Sequence, residues 1–134
     1  MPSTPLIAAV AGESGSGKTT LLVALIRSFV ADGRTVGAIK HTHHALNVEV
    51  RGDTAAFLDA GARPVILAGD GEAVVFDGST RRVAFDSPRD LLAYFATEVV
   101  LIEGFQSFHG WPRLDLPCSV TEARAVLDRI ERRP

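Results

Sequence analysis

The stretch Gly12-Glu13-Ser14-Gly15-Ser16-Gly17-Lys18-Thr19 decides the fold. It matches G-x-x-x-x-G-K-[ST], the pattern of a loop that wraps nucleotide phosphates. Glycines at 12, 15 and 17 let the backbone turn tightly, so that successive N–H groups point inward at phosphate oxygens. Lys18 is spaced to reach the β- and γ-phosphates, and the Thr19 hydroxyl to bind Mg²⁺. The pattern carries this meaning only between a strand and a helix. Leu6 to Ala11 is a short apolar run suited to a strand buried on both faces. From Lys18 to Asp32 apolar residues recur at Leu21, Leu22, Leu25, Ile26, Phe29 and Val30, the spacing of an amphipathic helix, with Gly33 placed to end it.

Outward from this unit the chain keeps alternating. Thr35 to Lys40 reads as a strand, Asp53 to Ala60 as a short helix ending at Gly61, and Pro64 to Ala68 as another strand. Glu72 to Phe76 and Arg82 to Phe85 flank Asp77-Gly78, a hairpin signal. Ser87 followed by Pro88 opens a helix running to about Phe95. Val99 to Ile102 is a fully apolar strand, Leu114 to Leu116 a short one, and Thr121 to about Arg132 a final helix. The alternation predicts an α/β three-layer αβα sandwich with a mostly parallel central sheet, built as one domain over residues 1–134. Ligands of such sheets bind at the carboxyl ends of the strands, where the residues singled out below all fall.

Composition narrows the partners. The apolar fraction of 46% and charged fraction of 22% are those of a globular chain, and the net charge of −2 gives no reason to expect nucleic acid or an anionic membrane. The sequence predicts neither a signal peptide nor a membrane span, and the single cysteine, Cys118, rules out an intrachain disulfide framework; the expected compartment is a reducing cytoplasm. Basic residues are overwhelmingly arginine, and the only lysines are Lys18 and Lys40. A compact ammonium differs from a guanidinium in reach and hydration, which marks both lysines for specific roles.

A phosphate loop needs an acidic partner for its metal at a nearby strand end. Val99 to Ile102 delivers Glu103 to such an end, with Asp53 and Asp70 as rivals. Past the second strand lies Lys40-His41-Thr42-His43-His44. In an extended chain His41 and His43 share a face. Spacing alone leaves metal chelation, a loop sensing the γ-phosphate or a partner, and an inert polar loop all open.

The order of phosphate loop, Lys-His-Thr-His-His, Gly52-Asp53-Thr54 before a helix ending Ala60-Gly61-Ala62, Val65 to Gly69, then Leu101-Ile102-Glu103-Gly104-Phe105 resembles the MobB family, over Leu6 to about Leu116. The resemblance implies a GTP-binding homodimer of the SIMIBI branch of P-loop proteins. It also implies Mg²⁺ at the site, feeble hydrolysis, and association with the guanylyltransferase that joins GMP to molybdopterin. By matching position, Gly12 to Thr20 (Gly12, Glu13, Ser14, Gly15, Ser16, Gly17, Lys18, Thr19 and Thr20) would hold phosphates, with Lys40 and His41 beside them and His41 to His44 bordering the site. Asp53 and Glu103 would face the attacking water and, with Thr19, the metal. The chain departs from the family at Gln106, where members commonly carry lysine, and at the apolar Ala55-Ala56-Phe57-Leu58. From residues alone ATP and GTP are equally open; the resemblance favours GTP.

Two other readings use the same residues. A small-molecule P-loop kinase would recruit arginines such as Arg51, Arg63 or Arg89. A metallochaperone-type GTPase would use His41, His43 and His44. The apolar residues of Thr54 to Ala60, or of the hairpin near Val74 to Phe76, are either a dimer surface or ordinary core.

Overall fold

The computed structural model describes residues 4–12, 17–46, 50, 52–116 and 118–132. Its strands are β1 (Leu6–Ala11), β2 (Val36–His41), β3 (Val65–Ala68), β4 (Glu72–Phe76), β5 (Thr80–Ala84), β6 (Val99–Glu103) and β7 (Arg113–Asp115), and its α-helices are α1 (Lys18–Ala31), α2 (Gly52–Ala60) and α3 (Val120–Glu131). They form a seven-stranded sheet of order β5-β4-β3-β2-β6-β1-β7. The five strands β3, β2, β6, β1 and β7 run parallel, and β4 and β5 add an antiparallel hairpin at one edge. The mixed, mostly parallel α/β architecture expected from the alternation is therefore present. Boundaries differ from the sequence reading by one or two residues, as fraying ends do.

All three α-helices lie on one face. Leu21, Leu22, Leu25, Ile26 and Phe29 of α1 meet Ala8, Val10, Ala38, Val65 and Leu101 of the sheet, with Phe57 of α2 and Leu127 of α3 completing the cluster. The apolar side of α2 is thus interior: Phe57 is fully buried, and so is Val74 of the hairpin. Ordinary core accounts for both stretches weighed as dimer surfaces. Hydrophobic packing also explains α3, whose N-terminus is fixed by a Ser119–Glu122 capping box.

The opposite face is covered differently. Where the sequence predicts an α-helix to Phe95, the chain forms a 3₁₀ helix over Pro88–Tyr94. Ser87 caps it, and the Asp90 carboxylate accepts the backbone N–H groups of Ser87 at 2.9 Å and Asp86 at 3.0 Å. Those two donors hold the Asp90 carboxyl below its ordinary range. Leu91, Phe85 and Trp111 pack onto Ile39, Ile66, Val100 and Ile102, with Phe95, Phe105 and Phe108 beside them. The Phe95 ring reaches the sheet because Gly37 of β2 has no side chain; a Cβ there would stand 2.2 Å from the ring. This layer is a 3₁₀ turn and aromatic loops, and it leaves the carboxyl ends of β2, β3 and β6 accessible.

Candidate functional site

Parallel pairing gathers the site. Lys40 of β2 is the register partner of Glu103 of β6, and β1 next to β6 ends where the glycine-rich loop begins. Gly17, with φ of 93°, starts α1, so Lys18 and Thr19 occupy the first turn of the helix beside those strand ends. Of the expected phosphate-loop residues, Glu13, Ser14, Gly15 and Ser16 lie outside the described residues, as does Arg51.

Thr19, Lys40, Asp53 and Glu103 meet at one point. The Thr19 hydroxyl lies 2.7 Å from Glu103 Oε1 and 3.2 Å from Asp53 Oδ2. Lys40 Nζ lies 2.9 Å from Asp53 Oδ2 and forms an ion pair with Glu103 Oε2. Glu103 is only 2% exposed, at the end of a strand buried throughout. Burial disfavours charge on Lys40, but the hydrogen bonds and charges of Glu103 and Asp53 outweigh it, and its pKa is raised above the ordinary lysine value. Two carboxylates and a hydroxyl form the all-oxygen donor set that a hard divalent cation such as Mg²⁺ takes. Gly17, Lys18, Thr19, Thr20, Lys40, Asp53 and Glu103 line a cavity of about 430 Å³ over this point.

Asp70, weighed as a rival carboxylate, goes elsewhere. It is 81% exposed, and its Oδ1 lies 3.1 Å from His41 Nε2. The Phe105 backbone N–H donates to His41 Nδ1 at 3.4 Å, so that nitrogen presents its lone pair and the neutral ring carries its proton on Nε2, directed at Asp70. His41, His43 and Asp70 bring donor atoms within 4.8 Å of one another. A metal at Nε2 would have to replace the proton shared with Asp70 and shift the tautomer that the Phe105 N–H favours. The geometry of His41 is that of a hydrogen-bonded imidazole.

Several contributors escaped the sequence reading. Phe105 adopts φ of 53° directly after Gly104 at 104°, a bend that stacks its ring on His41 with centroids 4.2 Å apart. Gly104 permits this approach, since a Cβ would stand 2.6 Å from His41 Cβ. Gln106 donates from Nε2 to the Gly12 carbonyl at 3.1 Å and so ties the β6 loop to the start of the glycine-rich loop. Beyond Lys18, Lys40 and Glu103 opens a second cavity of about 720 Å³, bounded by His41, Asp70, Phe105 and Phe108. Its far walls come from chain segments remote in sequence, which no local pattern foretells. Of the arginines weighed for a kinase, the two described ones, Arg63 and Arg89, line neither cavity. The Arg63 backbone N–H donates to the Val36 carbonyl at the amino end of β2, away from the carboxyl ends, and the Arg89 side chain donates to the Gly110 carbonyl.

A mostly parallel sheet with G-x-x-x-x-G-K-T between its first strand and first helix, and a buried carboxylate at the adjoining strand end, defines an α/β protein of the P-loop NTPase fold. The model of the MobB family, described as molybdopterin guanine dinucleotide synthesis protein B, matches residues 7–125, and the chain belongs to that family. It is similar to the molybdopterin-guanine dinucleotide biosynthesis adapter protein of Haemophilus influenzae, 38% identical over 98 residues that cover 72% of this chain and 55% of the relative. To the adapter protein of the same description from Escherichia coli K12 it is 48% identical over 65 residues, covering 48% of this chain and 37% of the relative. The matched segments thus span 55% and 37% of the length of these two curated relatives. Among solved structures, a MobB homolog from Bacillus stearothermophilus aligns with a TM-score of 0.50 at 23% identity, covering 90% of this chain and 69% of the other. Bacillus subtilis MobB gives 0.51 at 24%, covering 89% and 72%. These two show the shared fold. No helix among the described residues is long and apolar enough to cross a membrane.

Proposed function

We propose that this chain binds Mg-GTP at its glycine-rich loop and acts as an adapter in molybdopterin guanine dinucleotide biosynthesis, assisting the guanylyltransferase of that step with at most slow hydrolysis of its own. The observation that carries the reading is the Thr19 hydroxyl set between the Asp53 and Glu103 carboxylates, beside Lys18 and at the carboxyl edge of a parallel sheet. In this reading the loop amides and Lys18 take the phosphates, with Mg²⁺ held by Thr19, Glu103 and Asp53, directly or through water. The metal neutralises phosphate charge; the chain's own groups bind and orient. Asp53 and Glu103 also face the position of an attacking water. Among the described residues no arginine lines either cavity, which fits binding better than rapid transfer.

Preference for GTP over ATP, the SIMIBI-type homodimer, the guanylyltransferase partner and a cytoplasmic setting rest on family membership. Nucleotide occupancy would bias the strand ends that carry Lys40, His41 and Glu103, and through them the affinity for the partner. Calorimetry with GTP and ATP, each with and without Mg²⁺, combined with nucleotide-dependent capture of a purified molybdopterin guanylyltransferase, tests the reading. Mg²⁺-dependent GTP binding with GTP-dependent capture supports it. Acceptor-dependent formation of ADP or GDP would replace it with a kinase.

A further inference from the structure

Four groups share one small volume at the ends of β2 and β6: a hydroxyl, two carboxylates and an ammonium. Without the ammonium, the remaining oxygens are the ligand set of a divalent cation. Lys40 Nζ therefore holds the ground that such an ion would need, since both must sit against Asp53 Oδ2 and Glu103 Oε2. A charged carboxylate as buried as Glu103 is costly without a counter-charge, and a cation beside it offsets that cost.

We propose that Lys40 is the built-in counter-ion of the metal site. It neutralises Asp53 and Glu103 while no divalent ion is bound, and the ion that arrives with the nucleotide displaces it. This deepens the reading of Thr19, Asp53 and Glu103 as the metal side and rests on it. The structure provides somewhere to go: Lys40 also borders the cavity of about 720 Å³, which Lys18 lines as well. Its flexible four-carbon stem reaches that space while the backbone stays in register with Glu103 and Leu67. A bare metal ion must compete with the ammonium and gives it no new partner. A metal arriving with a triphosphate supplies anionic oxygens for the freed ammonium. Lys40 thereby makes metal and nucleotide binding cooperative, and the coupling is reciprocal.

The test titrates nucleotide-free protein with Mn²⁺, followed by electron paramagnetic resonance of free ion, for wild type, Lys40→Met, Glu103→Gln and the double variant. Lys40→Met is expected to bind Mn²⁺ at least tenfold more tightly than wild type. Its melting temperature should fall in EDTA and recover in Mn²⁺, while that of wild type hardly responds. Adding Glu103→Gln should abolish the gain. Equal Mn²⁺ affinity in wild type and Lys40→Met, both weakened by Glu103→Gln, overturns the counter-ion role and leaves the metal reading standing. Binding indifferent to Glu103→Gln overturns the metal reading itself. Should Lys40→Met not fold, wild type carrying ¹³Cε-lysine suffices, because Lys18 and Lys40 are its only lysines. Addition of Mg-GTP should shift the Lys40 resonance away from its position with GTP in EDTA; an unmoved resonance counts against displacement.

Discussion

Lys40 on β2 and Glu103 on β6 are register partners of adjacent parallel strands, and their side chains form an ion pair at the carboxyl end of the sheet. The residues lie 63 positions apart in the chain. They meet because β6 inserts between β1 and β2, so the strand after the glycine-rich loop is not its neighbour in the sheet. That insertion brings a buried carboxylate within reach of Thr19 on one side and Lys40 on the other.

Glu103→Gln keeps the shape of the strand end but removes the charge. Affinity for GTP in Mg²⁺ should fall roughly tenfold or more, as loss of one charge-assisted contact of about 1.5–3 kcal/mol implies. Affinity in EDTA should change much less. Calorimetry under both conditions checks this, and equal losses would remove Glu103 from the metal side.

Lys18→Ala should weaken triphosphate binding by about ten- to a hundredfold on the same scale of contact energy. Lys18 is not engaged by any described carboxylate at the Lys40 cluster, so the fold should keep its thermal stability. Unchanged GTP affinity in a folded variant would show that the loop does not hold phosphates.

Gly104→Ala combines a backbone at φ of 104° with a Cβ 2.6 Å from that of His41. Strain of this kind costs on the order of 1–3 kcal/mol. Urea unfolding should show a loss of that size, and the ring resonances of His41 and Phe105 should shift as their stacking opens. A variant with wild-type stability and an unshifted His41 spectrum would refute the account.

The His41–Asp70–His43 group should take up little Ni²⁺ or Zn²⁺, because both nitrogens of His41 are engaged in hydrogen bonds. Equilibrium dialysis of wild type against His43→Ala should show no difference at micromolar metal. Stoichiometric uptake lost in His43→Ala would revive the metallochaperone reading.

Adding Phe57→Ala isolates the core from the site. Phe57 is fully buried between α1 and the sheet, and truncation should cost about 3–5 kcal/mol by denaturant unfolding. A loss under 1 kcal/mol would mean that α2 packs less tightly than described.

Local pattern alone determined a good deal of this protein. The apolar run of β1, the spacing of Leu21, Leu22, Leu25 and Ile26, and the glycine and proline punctuation specify elements, because helix and strand periods are written within a few consecutive residues. The Gly12 to Thr19 string and the apolar lead into Glu103 are local in the same sense, and so the candidate phosphate and metal residues were legible. The exception among the elements is Pro88–Tyr94, whose cap was readable while its 3₁₀ winding depends on the sheet face beneath it.

What the tertiary structure alone decided is the use of each charge. By position at element ends Asp53 and Asp70 are equal rivals, and only the family resemblance favours Asp53; in the structure Asp53 joins Thr19 and Lys40 while Asp70 bonds His41. Likewise only strand order sets Lys40 against Glu103, and only the bend at Gly104-Phe105 engages His41. Electrostatic contacts act over a few ångströms in space, and the chain separations they bridge carry no periodic signal for a reader of sequence to detect.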